Sequence, residues 1–255
     1  MNRLIFLCGY DDFYYGLASM TARTIRDSGY DDELIIFTIE DKHSPYGTCV
    51  NLATHPQTEL IRLKKGAFFH KRLCTKFGYP QYAHPCDYFI IKTLPGMIVD
   101  RNRYDFILYM DSDILVHPRQ SLDDIFQSPG PISDFNSRPA IRDVKGLRAY
   151  FTEAEARAAT ELRGIGGGAF GIPRAHFGFF DLYREYYLRY LEEIPHDQPV
   201  LSFVKVRYYA RHPFEQWPNR KYFRHYWGDR KKEMLDDYAK RYGERSVREI
   251  LPALT

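Results

Sequence analysis

Residues 104–116 read YDFILYMDSDILV, an apolar run that ends in two carboxylates, and this stretch decides the fold. The run from Phe106 to Met110 has the length and composition of a strand buried on both faces of a mixed or parallel sheet. Asp111 and Asp113 follow at the carboxyl end of that strand, the edge where open α/β sheets bind ligands. Because alternate residues of an extended chain point to the same side, both carboxylates can reach one hard divalent cation.

The Asp-Ser-Asp triplet has two other interpretations. Short Asp-x-Asp patterns are common in turns and helix caps, and an apolar strand followed by Asp-x-Asp also marks the acyl-phosphate phosphatases. The second apolar run, at 114–116, argues for a site rather than a simple turn. The phosphatase motif has Thr or Val where Leu115 stands and usually lies near the chain start. A phosphatase remains an alternative at this point.

The composition fits either one large α/β domain or one domain with a small appendage, and we favour one domain with a C-terminal extension. With 255 residues and 44% hydrophobic content, the chain can bury a sizeable core. A net charge of +3 and the lack of a long Lys/Arg block argue against nucleic acid as a partner. The 21 Tyr and 18 Phe suit faces that stack on sugar rings or bases, so small molecules or glycans are the expected partners.

The first apolar run, Leu4 to Cys8, is far too short for a signal peptide or a membrane helix. We therefore expect a cytoplasmic protein without a transmembrane segment, and association with a membrane surface stays open. The four cysteines show no Cys-x-x-Cys spacing, which predicts free thiols at Cys8, Cys49, Cys74 and Cys86. A weaker alternative is a zinc site formed by two pairs of residues, His70 with Cys74 and His84 with Cys86. The second pair does not have a familiar zinc-ligand spacing.

The chain opens with a βαβ pattern. The apolar positions predict a strand at 3–7, an amphipathic helix at 14–27 and a strand at 33–39, with Gly29 closing the helix. If the strands are parallel, the loop after the first strand lies at the same sheet edge as the carboxylate pair.

Aromatic and acidic side chains in this first loop suit a nucleotide. A ring at Tyr10 or Tyr14 could stack on a base, and Asp11 could accept a hydrogen bond from a base or a ribose. Asp12 is equally consistent with a helix cap.

The middle of the chain is less regular. A strand is predicted at 58–63, and a helix interrupted at Pro95 is predicted over 88–100. Lys92 on that helix is either a solvated lysine or a contact for phosphate. Later helices are predicted at 122–126, 152–162, 173–194 and 232–242, and a capping box at Thr152 opens the second of them. Asp134 falls in a stretch that we expect to be irregular.

Three polar or glycine-rich motifs follow. Residues 164–171 read GIGGGAFG, where absent side chains let backbone amides approach a ligand or let a strand pack tightly. Asp197 either caps a short helix or, with Gln198, grips sugar hydroxyls. His225 is a good third ligand for Mn²⁺, and the glycine and lysine that follow it can present an amide and an ammonium to phosphate oxygens. We expect that lysine, Lys231, to be exposed.

In this order the motifs resemble glycosyltransferase family 8, the nucleotide-sugar transferases of the GT-A fold. The resemblance covers roughly residues 3 to 231. It implies an α/β fold with a mixed, mostly parallel central sheet flanked by helices, a catalytic domain at 1–231 and a C-terminal helical extension at 232–255. The four matches are the first strand and loop ending in Tyr14, the strand ending in Asp111 and Asp113, the pair Asp197-Gln198, and the spaced set His225, Gly228 and Lys231.

The resemblance also implies roles for individual residues. The ligands of Mn²⁺ or Mg²⁺ would be Asp111, Asp113 and His225. The catalytic residues beside the anomeric carbon would be Asp197 and Gln198. Contacts to the UDP-sugar would come from Cys8, Gly9, Tyr10, Asp11, Tyr14, Lys92, Ser112, Asp134, Gly167, Gly168, Gly228 and Lys231.

The implied activity is a metal-dependent, retaining transfer of a hexose from a UDP-sugar to a hydroxyl of a glycan or glycolipid. The cation and Lys231 would stabilise the charge that develops on the departing diphosphate. Retention could use Gln198 or Asp197 on the β-face, or attack by the acceptor from the leaving-group side. A phosphatase and a catalytically silent nucleotide-sugar-binding protein are the competing classes.

The sequence departs from the family pattern at three places. Lys92 lies a little further upstream of Asp111 than its counterpart in the family. The family commonly has Asn-x-Gly in the strand that cradles the donor sugar, where Gly166-Gly167-Gly168 stands here. Pro-Trp often follows the last lysine, where Lys232-Glu233 stands here. The identity of the sugar and the packing of the closing loop are therefore left undecided, as is the oligomeric state.

Overall fold

The computed structural model describes residues 1–9, 12–40, 58–64, 92, 100–190, 197–209, 214–218 and 220–251. Several sequence predictions lie outside these ranges. They are the nucleotide contacts of Tyr10 and Asp11, most of the helix at 88–100, and the residues Cys49, His70, Cys74, His84 and Cys86. Of the cysteines, Cys8 is described, and its side chain is buried, as predicted.

Strands and helices alternate along the described chain. The strands are β1 (Arg3–Gly9), β2 (Glu33–Glu40), β3 (Thr58–Lys64), β4 (Phe106–Asp111), β5 (Ile114–Val116), β6 (Ile132–Asp134), β7 (Gly166–Pro173), β8 (Glu215–Gln216) and β9 (Phe223–His225). The α-helices are α1 (Asp12–Asp27), α2 (Asp123–Phe126), α3 (Ala140–Asp143), α4 (Glu153–Glu161), α5 (Gly178–Tyr190), α6 (Asp197–Tyr209), α7 (Lys231–Tyr242) and α8 (Glu244–Ile250). None of these helices combines the length and apolar character needed to cross a membrane.

Among the described residues, the main sheet has seven strands in the order β3-β2-β1-β4-β7-β6-β8, and β5 pairs with β9 in a separate ribbon. Strand β2 runs parallel to both β1 and β3, and β6 runs parallel to β8 and antiparallel to β7. The mixed, mostly parallel sheet flanked by helices confirms the predicted fold class.

Burial explains why these segments form strands. Residues 4–9 of β1 and 106–110 of β4 are buried without a break, as expected for strands that are covered on both faces. The rings of Phe6 and Tyr109 pack with their centroids 4.9 Å apart. Helix α1 ends where predicted, and Gly29 follows it with φ of +89°, a conformation that glycine adopts without steric cost.

The chain forms two compact units. The first, here called the terminal unit, contains Arg3–Lys65, Tyr109–Asp124 and Arg220–Thr255. The second, the central unit, contains Met1–Asn2, Gly66–Leu108 and Ile125–Asn219.

The last two helices pack inside the terminal unit, against α1 and β5. Their shared apolar cluster consists of Leu17, Met20, Leu115, Tyr226, Met234, Tyr238, Ile250 and Leu251. The boundary between a domain at 1–231 and an extension at 232–255 stays a prediction.

Two local expectations were wrong. Asp134 is not in an irregular stretch but ends β6, where it pairs with Gly166 after a register shift. Pro173 does not open a long helix but ends β7, because its backbone is extended, with φ of −72° and ψ of 156°. The amide of the next residue, Arg174, donates to the carbonyl of Asp105 at 2.8 Å. A 3₁₀ turn follows, and α5 starts only at Gly178.

Candidate functional site

The Asp-Ser-Asp turn lies between β4 and β5 and is held by threonines of α1. The hydroxyl of Thr21 lies 2.7 Å from the carbonyl oxygens of both Ser112 and Ile114. One turn further along α1, the Thr24 hydroxyl accepts a hydrogen bond of 3.1 Å from the amide of Val116. Polar groups on the buried face of α1 therefore fix the backbone that carries the two carboxylates.

Pairing of β5 with β9 brings His225 to this turn from the far end of the sequence. Ile114 is the direct antiparallel partner of His225, and the amide of Tyr226 donates to the carbonyl of Asp113 at 2.8 Å. The third predicted metal ligand thus lies beside the first two because two short strands pair in this register.

The side chains of Asp111, Asp113 and His225 form what we call the carboxylate–histidine cluster. One ligand atom from each residue lies within 4.8 Å of the other two. His225 Nε2 is 3.1 Å from Asp113 Oδ1 and 3.6 Å from Asp111 Oδ2. Two carboxylates and an imidazole suit a divalent cation such as Mn²⁺, so the donor set fits the predicted metal.

Lys231 joins this cluster through an ion pair between its ammonium and Asp113 Oδ2. The Lys231 ammonium also donates to the carbonyl of Tyr226 at 3.1 Å and lies 5.9 Å from the ring centroid of Tyr14. The expectation of an exposed lysine was wrong, since its side chain is only 17% exposed. This burial could not be predicted from the local sequence, because the ion-pair partner Asp113 lies 118 residues earlier in the chain.

Opposing effects set the pKa of the Asp113 carboxyl. Burial alone would raise the pKa, because a low-dielectric environment disfavours the charged form. The hydrogen bond and the electrostatic interaction with His225, together with the positive charge of Lys231, outweigh burial and hold the pKa of Asp113 well below its usual value. Asp113 is therefore an anion, as a metal ligand must be.

Tyr109 orients the other carboxylate. Its hydroxyl donates a short hydrogen bond to Asp111 Oδ1, and its side chain is completely buried. The two residues are two apart on β4 and so lie on the same face of the strand. Tyr109 was not among the predicted site residues, although its two-residue spacing from Asp111 on the predicted strand would have indicated this contact.

The other predicted nucleotide contacts in the terminal unit differ in accessibility. The side chain of Cys8 is fully buried, so a contact to a ligand would have to use its backbone. The Ser112 hydroxyl is buried and has no hydrogen-bond partner among the described residues. Gly228 has φ of +64°, a left-handed conformation that favours glycine. Gly9 packs so closely against the backbone of Tyr15 that a Cβ there would lie 2.6 Å from its Cα.

In the central unit, Lys92 is neither solvated nor free to reach outward. Its side chain is 2% exposed, its ammonium forms an ion pair with Asp197 Oδ2, and it donates to the carbonyl of Gly167 at 3.0 Å. Asp197 is the first residue of α6, and its carboxylate is 12% exposed. Lys92 therefore fixes Asp197 against the glycine-rich strand β7.

The neighbouring Gln198 is held by the carboxylate of Asp143, which was not among the predicted site residues. Gln198 Nε2 lies 3.1 Å from both oxygens of Asp143. Asn136 and Ser202 also donate to this carboxylate, at 2.9 and 2.8 Å. We call these four residues the Asp143 network. Asn136 and Asp143 precede β7, whereas Gln198 and Ser202 lie one turn apart on α6, so no single sequence motif reveals the network.

Strand β7 lies next to these side chains. Gly167 has Asp197 and Gln198 as its nearest neighbours, and a Cβ on Gly167 would lie 3.4 Å from the Asp197 carboxylate. Gly166 faces the backbone of Asp134, where a Cβ would come within 2.6 Å of the Asp134 carbonyl oxygen. Gly168 is buried in the same strand. The glycines thus allow close packing of polar groups around β7.

Comparison with known proteins gives matches by structure. No protein-family model matches the chain, and no curated protein matches its sequence. The bifunctional glycosyltransferase WbbM, solved without ligand, superposes with a TM-score of 0.59 at 13% identity, covering 99% of this chain and 52% of WbbM. This chain therefore spans about half the length of WbbM.

Two structures of the galactosyltransferase LgtC also match. The complex of LgtC with donor and acceptor sugar analogues has a TM-score of 0.52 at 16% identity, covering 93% of this chain and 95% of LgtC. An active-site glutamine mutant of LgtC gives a TM-score of 0.53 at 15% identity, covering 94% and 95%. The chain therefore has the GT-A fold of these glycosyltransferases.

Proposed function

We propose that the protein is a metal-dependent glycosyltransferase that transfers a hexose from a UDP-sugar to a hydroxyl of a glycan or glycolipid acceptor, with retention of anomeric configuration. The observation that carries this proposal is the convergence of Asp111, Asp113 and His225 at the carboxyl end of β4 in a GT-A fold. In open α/β sheets that edge is where ligands bind.

Asp111, Asp113 and His225 would hold the cation, Mn²⁺ or Mg²⁺. When bound, the cation supplies positive charge to the diphosphate that leaves the sugar. Lys231 already directs an ammonium at the same carboxylate and would add a second positive charge for the leaving group. Stabilisation by fixed positive charge removes the need for an acid that protonates the leaving oxygen.

Asp197 and Gln198 are proposed to contact the donor sugar. Their support within the central unit is that Lys92 and Asp143 hold them in fixed positions next to a glycine-rich strand. Preorganised polar groups of this kind are what a transition state requires. The LgtC structure with a mutated active-site glutamine makes Gln198 the residue of this pair to test first.

The test is a donor-hydrolysis and transfer screen over UDP-sugars with Mn²⁺, joined to a thermal-shift panel. UDP with Mn²⁺ should raise the melting temperature, and a UDP-sugar should release UDP. A phosphatase would respond to beryllofluoride with Mg²⁺, and a silent binding protein would bind a UDP-sugar without releasing UDP. Either result would contradict the proposal.

Asp113→Ala provides the first variant. It should abolish the Mn²⁺-dependent binding of UDP, because it removes the carboxylate that contacts both His225 and Lys231. Asp236→Ala, at an exposed carboxylate of α7, is the matched control and should bind UDP normally. Retained metal-dependent affinity in Asp113→Ala would remove Asp113 from the site.

A further inference from the structure

Asp143 is a buried carboxylate that has neutral partners. It is 7% exposed at the end of α3, and no cation of the described residues forms an ion pair with it. Burial of an ionised carboxylate is costly unless fixed hydrogen-bond donors surround it. Asn136, Ser202 and Gln198 are those donors.

The carboxylate determines the orientation of the Gln198 amide. An ionised carboxylate can only accept hydrogen bonds, so the end of the amide that faces it must be the NH₂ group. Gln198 Nε2 lies 3.1 Å from each Asp143 oxygen, a fork that leaves the Gln198 carbonyl oxygen directed away. Within the described part of the chain, that oxygen accepts no hydrogen bond, and Gln198 is half-buried.

The surroundings prevent the Asp143 carboxylate from turning away. Ser202 donates to Asp143 and accepts from the amide of Ile165 at 3.0 Å. Asn136 donates to Asp143 and accepts from the amide of Arg138 at 2.9 Å. Each partner thus accepts a hydrogen bond from a backbone amide, which fixes its position, and donates one to Asp143.

Close packing removes the remaining freedom. Gly164 lies so near to Asp143 that a Cβ on Gly164 would overlap the carboxylate. The space that a side-chain rotation would need is therefore occupied by the backbone of the segment that leads into β7.

We propose that Asp143 is a positioning residue that acts through Gln198, by holding the Gln198 carbonyl oxygen toward the ligand. A carbonyl oxygen accepts hydrogen bonds and cannot donate, so this position selects a hydroxyl group of the substrate rather than an anionic oxygen. The inference rests on the proposed sugar transfer for the identity of the ligand, and on the Asp143 network alone for the orientation of the amide.

A double-mutant cycle tests the coupling. Asp143→Asn replaces the carboxylate by an amide that can face Gln198 with either end, so the fixed orientation of Gln198 is lost. In the wild-type background this change should lower kcat about tenfold or more. In a Gln198→Ala background it should change kcat less than about twofold. Effects that simply multiply would overturn the proposal. Asp181→Asn, which removes an exposed carboxylate of the same unit, is the matched control and should leave kcat unchanged.

A second measurement does not depend on activity. Gln198→Glu places two carboxylates against each other, so its melting temperature at about pH 8 should fall, since like charges at this separation cannot both ionise without cost. Adding Asp143→Asn restores a donor and an acceptor and should recover the loss. An unaltered melting temperature in Gln198→Glu, or no recovery in the double variant, would overturn the orientation. If the wild type transfers no sugar, the proposed function fails while this measurement still decides the contact.

Discussion

Replacing Tyr109 by Phe removes one oxygen atom from β4 and leaves the ring packing in place. The ring would keep its contact with Phe6, at 4.9 Å between centroids. The lost interaction is the hydrogen bond to Asp111 Oδ1. Hydrogen bonds to charged groups contribute about 1.5–3 kcal/mol to stability. Because the Asp111 side chain is 15% exposed, water can replace part of that contribution.

We therefore expect Tyr109→Phe to lower the free energy of unfolding by about 1–2 kcal/mol. For a chain of this size the melting temperature should fall by about 2–6 °C. The affinity for Mn²⁺ should fall about tenfold or more, because residues that orient metal ligands typically change affinity by that much. Thermal denaturation measures the first effect, and titration calorimetry with Mn²⁺ measures the second.

The control is Tyr238→Phe, in the same unit. Tyr238 is also completely buried. Among the described residues, its hydroxyl has one long contact, of 3.4 Å to Arg23, so Mn²⁺ affinity should stay within about twofold of the wild type. Wild-type Mn²⁺ affinity in Tyr109→Phe would refute the idea that this hydrogen bond orients Asp111. Unchanged stability as well would mean that the hydrogen bond does not form in solution.

Three further predictions concern lysines and their partners. Lys231→Ala should lower turnover about tenfold or more. In the absence of nucleotide it should tighten Mn²⁺ binding, because the Lys231 ammonium competes with the cation for the Asp113 carboxylate. Lys232→Ala, at the exposed neighbouring residue, should have neither effect, and weaker Mn²⁺ binding in Lys231→Ala would contradict this prediction. Asp197→Ser should destabilise the fold by about 3 kcal/mol, because Lys92 would be left buried without its anion, and a normal melting temperature would show that the ion pair is dispensable. Lys205 of α6 is 3% exposed, and burial lowers its pKa to about 8. Its charge therefore destabilises the folded state below about pH 8, and this cost disappears as the pH rises to about 10.5. Lys205→Met should raise the free energy of unfolding by about 1–3 kcal/mol at pH 7. Urea denaturation at high pH should show a smaller increase.

Local pattern was enough to predict the strands that carry the site. Strands β1 and β4 could be predicted from their local sequence alone, because a strand buried on both faces requires an unbroken apolar segment. The cluster of Asp111, Asp113 and His225 was predicted from the resemblance, and the side chains lie together in the structure. Whether they bind a cation stays a prediction.

The parts that the sequence did not reveal depend on long-range contacts. The ion pair of Lys92 and the burial of Lys231 involve partners more than a hundred residues away. Asp143 lies in a four-residue helix without any recognisable motif. The strand that ends at Asp134 was not predicted, because three residues are too few to show alternation and the strand is recognised by its pairing with β7.

The pairing of β5 with β9 has a consequence for synthesis of the protein. Asp111 and Asp113 leave the ribosome with half of the chain still to be made, and His225 lies opposite Ile114, more than a hundred residues later. Contacts of such long sequence separation form late, because the intervening chain loses much entropy when the loop closes. The apolar face of α1 also waits for Met234, Tyr238 and Leu251 to cover it. During translation, this face of α1 therefore stays exposed to other chains until α7 and α8 have been made, which makes it a site for aggregation in the nascent protein.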